Sequence, residues 1–144
     1  MKRTVLALLN DAAIKFKDKP YVAEKTDDGW QPKSYAEVKD ESEYLAAGLL
    51  SNGFYKKNLA ILAEGRTSWI ISEYAIIKSG GISIPLSTKL LPEELPFRLN
   101  HSESRGIFTS RNNIDKVLKV WDKIKQNDFK IIYYDTDKEE VKQK

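Results

Sequence analysis

The chain has 144 residues, 41% of them hydrophobic and 31% charged, enough apolar side chains for one core and too little length for two ordinary domains. Its 24 basic and 21 acidic residues leave a net charge of +3 with no basic block, so no nucleic acid is expected as a partner. Cysteine is absent, which removes disulfides, thiolate nucleophiles and thiolate metal sites together and fits a reducing compartment.

Lys2 and Arg3 followed by Val5-Leu6-Ala7-Leu8-Leu9 resemble the start of a secretion signal, but Asn10 and Asp11 interrupt the apolar run far short of an h-region. The stretch reads instead as an amphipathic helix whose stripe is Val5, Leu9, Ala12 and Phe16. No apolar run approaches the roughly 18 residues of a membrane span. A cytoplasmic location is expected, with a membrane-peripheral one left open for a longer parent enzyme. Residues 21–35 read as a β-hairpin turning at Asp28-Gly29, with its second strand from Trp30. Ser34 stands three residues before Glu37, the spacing of a capping box, and predicts a helix running to about Asn52 with Val38, Leu45 and Leu49 inward and Gly53 as its stop.

Beyond that helix, apolar β-type runs begin near Leu59, Ile82, Gly106 and Lys130 with a helical pattern in each gap. Such alternation predicts an α/β fold: an amino-terminal helix and hairpin, then strand-helix repeats forming a mostly parallel sheet. The first crossover, 67–79, is expected to be largely buried. The middle one starts at Pro92 and is bent or shortened by Pro96. The third, 113–125, is expected to be one helix burying Ile114, Val117, Leu118, Trp121 and Ile124. Residues 1–134 thus form the folded part, and 135–144 read as a charged, disordered tail.

The chemistry-bearing residues are sparse. There is no Gly-x-x-x-x-Gly-Lys-Ser/Thr, Gly-x-Gly-x-x-Gly or Gly-x-Ser-x-Gly. His101, the only imidazole, reads as a capping or surface residue rather than a general base, and the Asn100-His101-Ser102 acceptor pattern as chance. Glu93-Glu94 reads as a dipole-favoured first turn more than an acid-base pair, because adjacent helical residues diverge. Arg66, Arg98, Arg105 and Arg111 would bind phosphate only if the strand ends brought them together, and scattered surface charge is the simpler reading. Trp69 and Trp121 read as core rather than as stacking platforms. No residue is assigned a catalytic, cofactor-binding or metal role.

Two stretches carry a family resemblance. Lys33-Ser34-Tyr35-Ala36-Glu37-Val38 and 77–86, Ile-Lys-Ser-Gly-Gly-Ile-Ser-Ile-Pro-Leu, resemble the first two core motifs of adenylate-forming enzymes, the AMP-dependent synthetase and ligase family. Residues 58–62, 64–69 and 97–102 continue the resemblance, so it covers nearly the whole chain. Asn58, Ser79-Gly80-Gly81 and Pro96 depart from the usual pattern, none at a catalytic position of the family.

The resemblance implies the amino-terminal part of the large domain of an acyl-CoA synthetase, most like a long-chain fatty acid ligase of lipid metabolism. Members activate a carboxylic acid with Mg-ATP, release pyrophosphate and pass the acyl group to coenzyme A. Their phosphate loop, nucleotide-binding acidic and arginine residues and C-terminal lysine cannot be placed here. The implied expectation is therefore that ATP, Mg and coenzyme A serve a parent enzyme acting on a fatty acid or other carboxylate, and that none binds these 144 residues tightly. Self-association through surfaces exposed by truncation is also expected. The other reading of the residues is a complete small α/β binding or interaction module without catalysis.

Overall fold

A computed structural model describes residues 4–136 of the chain. Its elements in order are α1 (Val5–Phe16), β1 (Pro20–Thr26), β2 (Gly29–Ser34), α2 (Tyr35–Ser51), β3 (Leu59–Leu62), α3 (Thr67–Lys78), β4 (Ser83–Pro85), a 3-10 turn (Pro92–Glu94), α4 (Leu95–His101), β5 (Gly106–Thr109), α5 (Ile114–Leu118), a second 3-10 turn (Trp121–Lys123) and β6 (Lys130–Tyr133). The α/β architecture is as expected: one antiparallel hairpin and one four-stranded, wholly parallel sheet in the order β4-β3-β5-β6. The chain divides into two compact units, Met1–Lys57 with Gly65–Ile82, and Asn58–Glu64 with Ser83–Lys144.

The first unit holds the three longer helices and the hairpin. Thr4 caps α1 by accepting from the Ala7 N–H. The buried face of α1 is Leu9 and Ala13 with Leu6 alongside, while Val5 is 52% exposed. The expected stripe was therefore rotated by about one residue, because positions 6, 9 and 13 share a face as well as 5, 9 and 12 do. In the hairpin the loop is Asp27-Asp28, and neither aspartate adopts positive φ. Gly29 alone does, at φ 101°, opposite Thr26. The Ser34–Glu37 capping box is present in full: the Glu37 N–H donates to Ser34 Oγ at 3.2 Å and the Ser34 N–H to Glu37 Oε2 at 2.7 Å. Glu24 of β1 accepts from both the N–H and the hydroxyl of Thr67, placing a carboxylate at the amino end of α3 that Arg66 as N-cap does not supply. Leu9, Val38, Ile71 and Tyr74 form this unit's core.

Helices α2 and α3 end alike. Gly53 (φ 84°) and Gly80 (φ 78°) take the left-handed position, and the residue after each donates back to Leu49 and Ile76, respectively. Phe54, the residue that makes the first of these Schellman closures, is buried, as is Leu49.

In the second unit the two inner strands, β3 and β5, are short and buried on both faces, as central parallel strands are, while the edge strands β4 and β6 are partly exposed. Ala60, Leu62 and Ile107 meet Leu95, Leu99, Val117, Val120 and Phe129 on one face, and Leu59, Ile61 and Phe108 point to the other, fully buried. Pro96 falls in the first turn of α4, after the 3-10 turn, where its missing N–H is harmless; the helix is shortened as anticipated.

The third crossover is not the continuous helix expected over 113–125. It is five residues of α5, a break, and a 3-10 turn. Val117 and Val120 are buried, whereas Leu118 and Trp121 are 52% and 44% exposed. The break turns Val120 inward. Asn100 then pins the end of the segment, donating to the Lys123 carbonyl and accepting from the Lys125 N–H.

Asp135, the first residue of the tail expected from sequence, accepts from the Arg111 N–H at 2.7 Å. The tail's remainder, 137–144, lies outside the described residues.

Candidate functional site at the carboxyl edge of the parallel sheet

Chain order alone locates where a ligand would approach. After β3 the chain adds β4 on one side, then returns across β3 to place β5 on the other, so the order reverses between β3 and β5. Loops leaving the carboxyl ends of two such strands diverge and leave a crevice. Here the two loops begin at Ala63 and Ser110.

That crevice is occupied by this chain's own polar groups. Ser110, fully buried, donates to Glu64 Oε2 at 2.6 Å, and the Asn113 amide, 4% exposed, donates to the same oxygen at 3.1 Å and to Ser110 Oγ at 3.0 Å. One step back, the buried Thr109 hydroxyl donates to the Leu62 carbonyl. Two further clasps lie on the same edge. Lys116 Nζ donates to the Thr88 carbonyl beyond β4, and Arg111 meets Asp135 beyond β6 through both its N–H and its guanidinium. The loops after all four strands are thereby tied together through residues 110–116.

The residues singled out from sequence fall mostly outside this edge. His101 is exposed in the last turn of α4 and stacks on Phe97, with ring centroids 5.5 Å apart, as a surface residue would. Glu93 is exposed, and Glu94 Oε2 accepts from the Leu91 N–H in the first turn. Arg111 lies at the carboxyl end of β5, but Arg105 lies at its amino end, paired with Asp128 at 2.8 Å, and Arg98 is exposed on α4. These three do not gather around one point. Arg66 belongs to the first unit. The reading of both tryptophans as core needs correction: Trp69 is half-buried, and Trp121 sits at the surface with its ring edge-on to the buried Phe129.

Glu64, Ser110 and Asn113 went unnoticed as a group in the sequence. The signal was available in part, since Glu64 and Ser110 each stand just beyond a four-residue strand, where a polar residue emerges at the carboxyl edge. Their pairing across 46 and 49 positions was not legible.

The arrangement can brace loops, but it holds no nucleophile-base pair. Among the described residues no group of three or more His, Cys, Asp or Glu could hold a metal ion. Glu64 Oε2 is engaged by two buried donors, and no chemical step is routed through it.

Comparison with known proteins shows the family. Residues 9–144 match the family model of AMP-binding enzymes. The chain is 28% identical over 123 residues to 4-hydroxybutyrate--CoA ligase 2 of Metallosphaera sedula, covering 85% of this chain and 22% of that protein. It is 33% identical over 73 residues to long-chain-fatty-acid--CoA ligase 5 of Mus musculus, covering 49% of this chain and 11% of that one. Among solved structures, the N-terminal domain of FACL13 from Mycobacterium tuberculosis superposes with a TM-score of 0.83 at 16% identity, over 99% of this chain and 36% of that one. A benzoate CoA ligase from Burkholderia xenovorans LB400 gives 0.78 at 16% identity, over 93% and 26%. The chain thus spans about a fifth of the length of the first of these relatives. With a match across 9–144 and the fold of adenylate-forming amino-terminal domains, the chain belongs to the AMP-binding enzyme family.

Proposed function

We propose that this chain is the amino-terminal part of an AMP-forming acyl-CoA ligase that converts a fatty acid or other carboxylic acid, ATP and coenzyme A to acyl-CoA, AMP and pyrophosphate. The observation that carries the reading is the family match across 9–144. Similarity to acyl-CoA ligases, some named for long-chain fatty acids, supports a long-chain acid as substrate. Mg is the metal this reading implies for ATP. No helix among the described residues is long and apolar enough to cross a membrane.

The role assigned to these residues is scaffolding. The clasps of Glu64, Lys116 and Arg111 hold the strand-end loops, and the catalytic groups come from elsewhere in the longer protein. The 144 residues alone are inactive on this reading. The match to relatives several times longer favours it over a stand-alone binding module.

The test is ATP-pyrophosphate exchange driven by a panel of carboxylic acids. The longer polypeptide that carries this sequence should exchange with fatty acids, and the 144-residue chain should not. Exchange by the short chain would overturn its scaffolding role, and a longer polypeptide inert towards every acid would overturn the ligase reading.

A further inference from the structure

The two edges of the parallel sheet differ. In β4 the Leu86 N–H reaches inward to the Ile61 carbonyl, so by alternation Ser83 and Pro85 carry the outward backbone groups, and Pro85 has no N–H to offer. That edge is blunted. In β6 the N–H groups of Lys130 and Tyr134 donate inward to Arg105 and Thr109, so Ile131 and Tyr133 present N–H and C=O outward. Among the described residues β6 pairs only with β5. Lys130 is the only charge on the strand, at its first position.

We propose that the β6 edge is a self-pairing surface whose partner is a second copy of this chain, joined antiparallel about a two-fold axis at Ile132. The register follows from the available groups. Centred on Ile132, Ile131 of each copy faces Tyr133 of the other, and each pair exchanges two N–H···O bonds, four in all by the ladder rule. Shifting the axis to Ile131 would call on Phe129, whose N–H already donates to the Gln126 carbonyl. Shifting it to Tyr133 would call on Asp135, whose carbonyl accepts from Arg111. In the central register Lys130 meets Tyr134 rather than a second Lys130, so no like charges oppose. Because the β4 edge is blunted, the association closes at two copies instead of propagating. It stands independently of the ligase reading.

The chain has no cysteine, so one introduced thiol is an unambiguous reporter. In an antiparallel non-hydrogen-bonded pair the Cα atoms lie about 4.5 Å apart, inside the range a disulfide spans. Ile132→Cys should therefore cross-link to a covalent dimer under mild oxidation, whereas Tyr44→Cys, on the exposed side of α2, should not. In sedimentation, the unmodified chain should show a concentration-dependent monomer-dimer equilibrium. Ile132→Lys, which sets two cations face to face, should weaken it at least about tenfold with circular dichroism unchanged. A chain that sediments as a monomer at its highest soluble concentration, one that forms open polymers, or a dimer indifferent to Ile132→Lys would each overturn the proposal. So would equal cross-linking through Tyr44→Cys.

Discussion

Gly81 lies so close to the carbonyl oxygen of Lys57 that a Cβ built on it would stand 2.1 Å from that oxygen. The contact belongs to a junction in which Gly80, one residue earlier, takes φ 78° and the Gly81 N–H closes α3 on the Ile76 carbonyl. The two adjacent glycines thus answer different demands, one of space and one of backbone angle.

A three-glycine series separates those demands. Gly81→Ala should destabilise the chain by about 1–3 kcal/mol or more, because the obstacle is backbone and cannot swing away. Gly80→Ala should lose about 1–2 kcal/mol from the left-handed angle, with the flexible Lys56 side chain yielding at 3.2 Å. Gly48→Ala, inside α2 with nothing within 4 Å, should gain about 0.5–1 kcal/mol. Urea midpoints at constant slope check the order, and a Gly81→Ala chain as stable as the parent would contradict the contact.

Glu103 occupies at the end of α4 the left-handed place that glycines hold after α2 and α3, with φ 52°, and the Ser104 N–H closes on the Leu99 carbonyl. Glu103→Gly should therefore stabilise by roughly 0.5–1 kcal/mol, the strain relieved being partly offset by glycine's larger unfolded entropy. Glu103→Ala keeps the strain and should show no gain. Thermal unfolding of the two side by side tests the backbone explanation against a side-chain one.

These closures mark what the sequence disclosed and what it did not. Ser34, Glu37 and Gly53 act over three or four positions, so their roles could be read locally. The strand starts at Leu59 and Gly106 were equally plain, because a strand buried on both faces is a bare apolar run, and Lys130 opens a short Ile-Ile-Tyr run of the same kind. Glu103 was invisible, since nothing in its residue type asks for a left-handed angle. The break between Leu118 and Trp121 was missed because a continuous helix would bury Leu118 and Trp121 along with Val117, while the core takes Val120 with Val117 instead. The Glu64 brace depends on the β3-β5 pairing itself, a relation no local pattern encodes.

Removing that brace has a measurable signature. Glu64→Ala leaves the Ser110 hydroxyl and the Asn113 amide with an acceptor missing in a buried setting, and about 1–3 kcal/mol should be lost. Both donors use one carboxylate oxygen, so Glu64→Gln, which can present its carbonyl oxygen there, should restore most of the loss. If Gln and Ala are equally damaging, the hydrogen-bond account fails and the charge itself is what matters.

The capping box at α2 gives the chain a pH response of definite sign. The Ser34 backbone N–H and hydroxyl hold the Glu37 carboxyl below its ordinary 4.5, so the ionised form is favoured by folding. Glu43 is lowered too, chiefly by its hydrogen bond from Lys39. A depressed folded-state value means the contribution is fully present above about pH 4.5 and is lost as pH falls through the lower folded values. Glu37→Gln keeps a side-chain acceptor for the Ser34 N–H but cannot titrate. Urea midpoints taken from neutral pH down through the carboxylate range should fall less steeply for Glu37→Gln than for the parent chain, with the two curves converging at the acid end. Parallel curves would mean that Glu37 titrates alike in the folded and unfolded chain, which the 2.7 Å bond from the Ser34 N–H argues against.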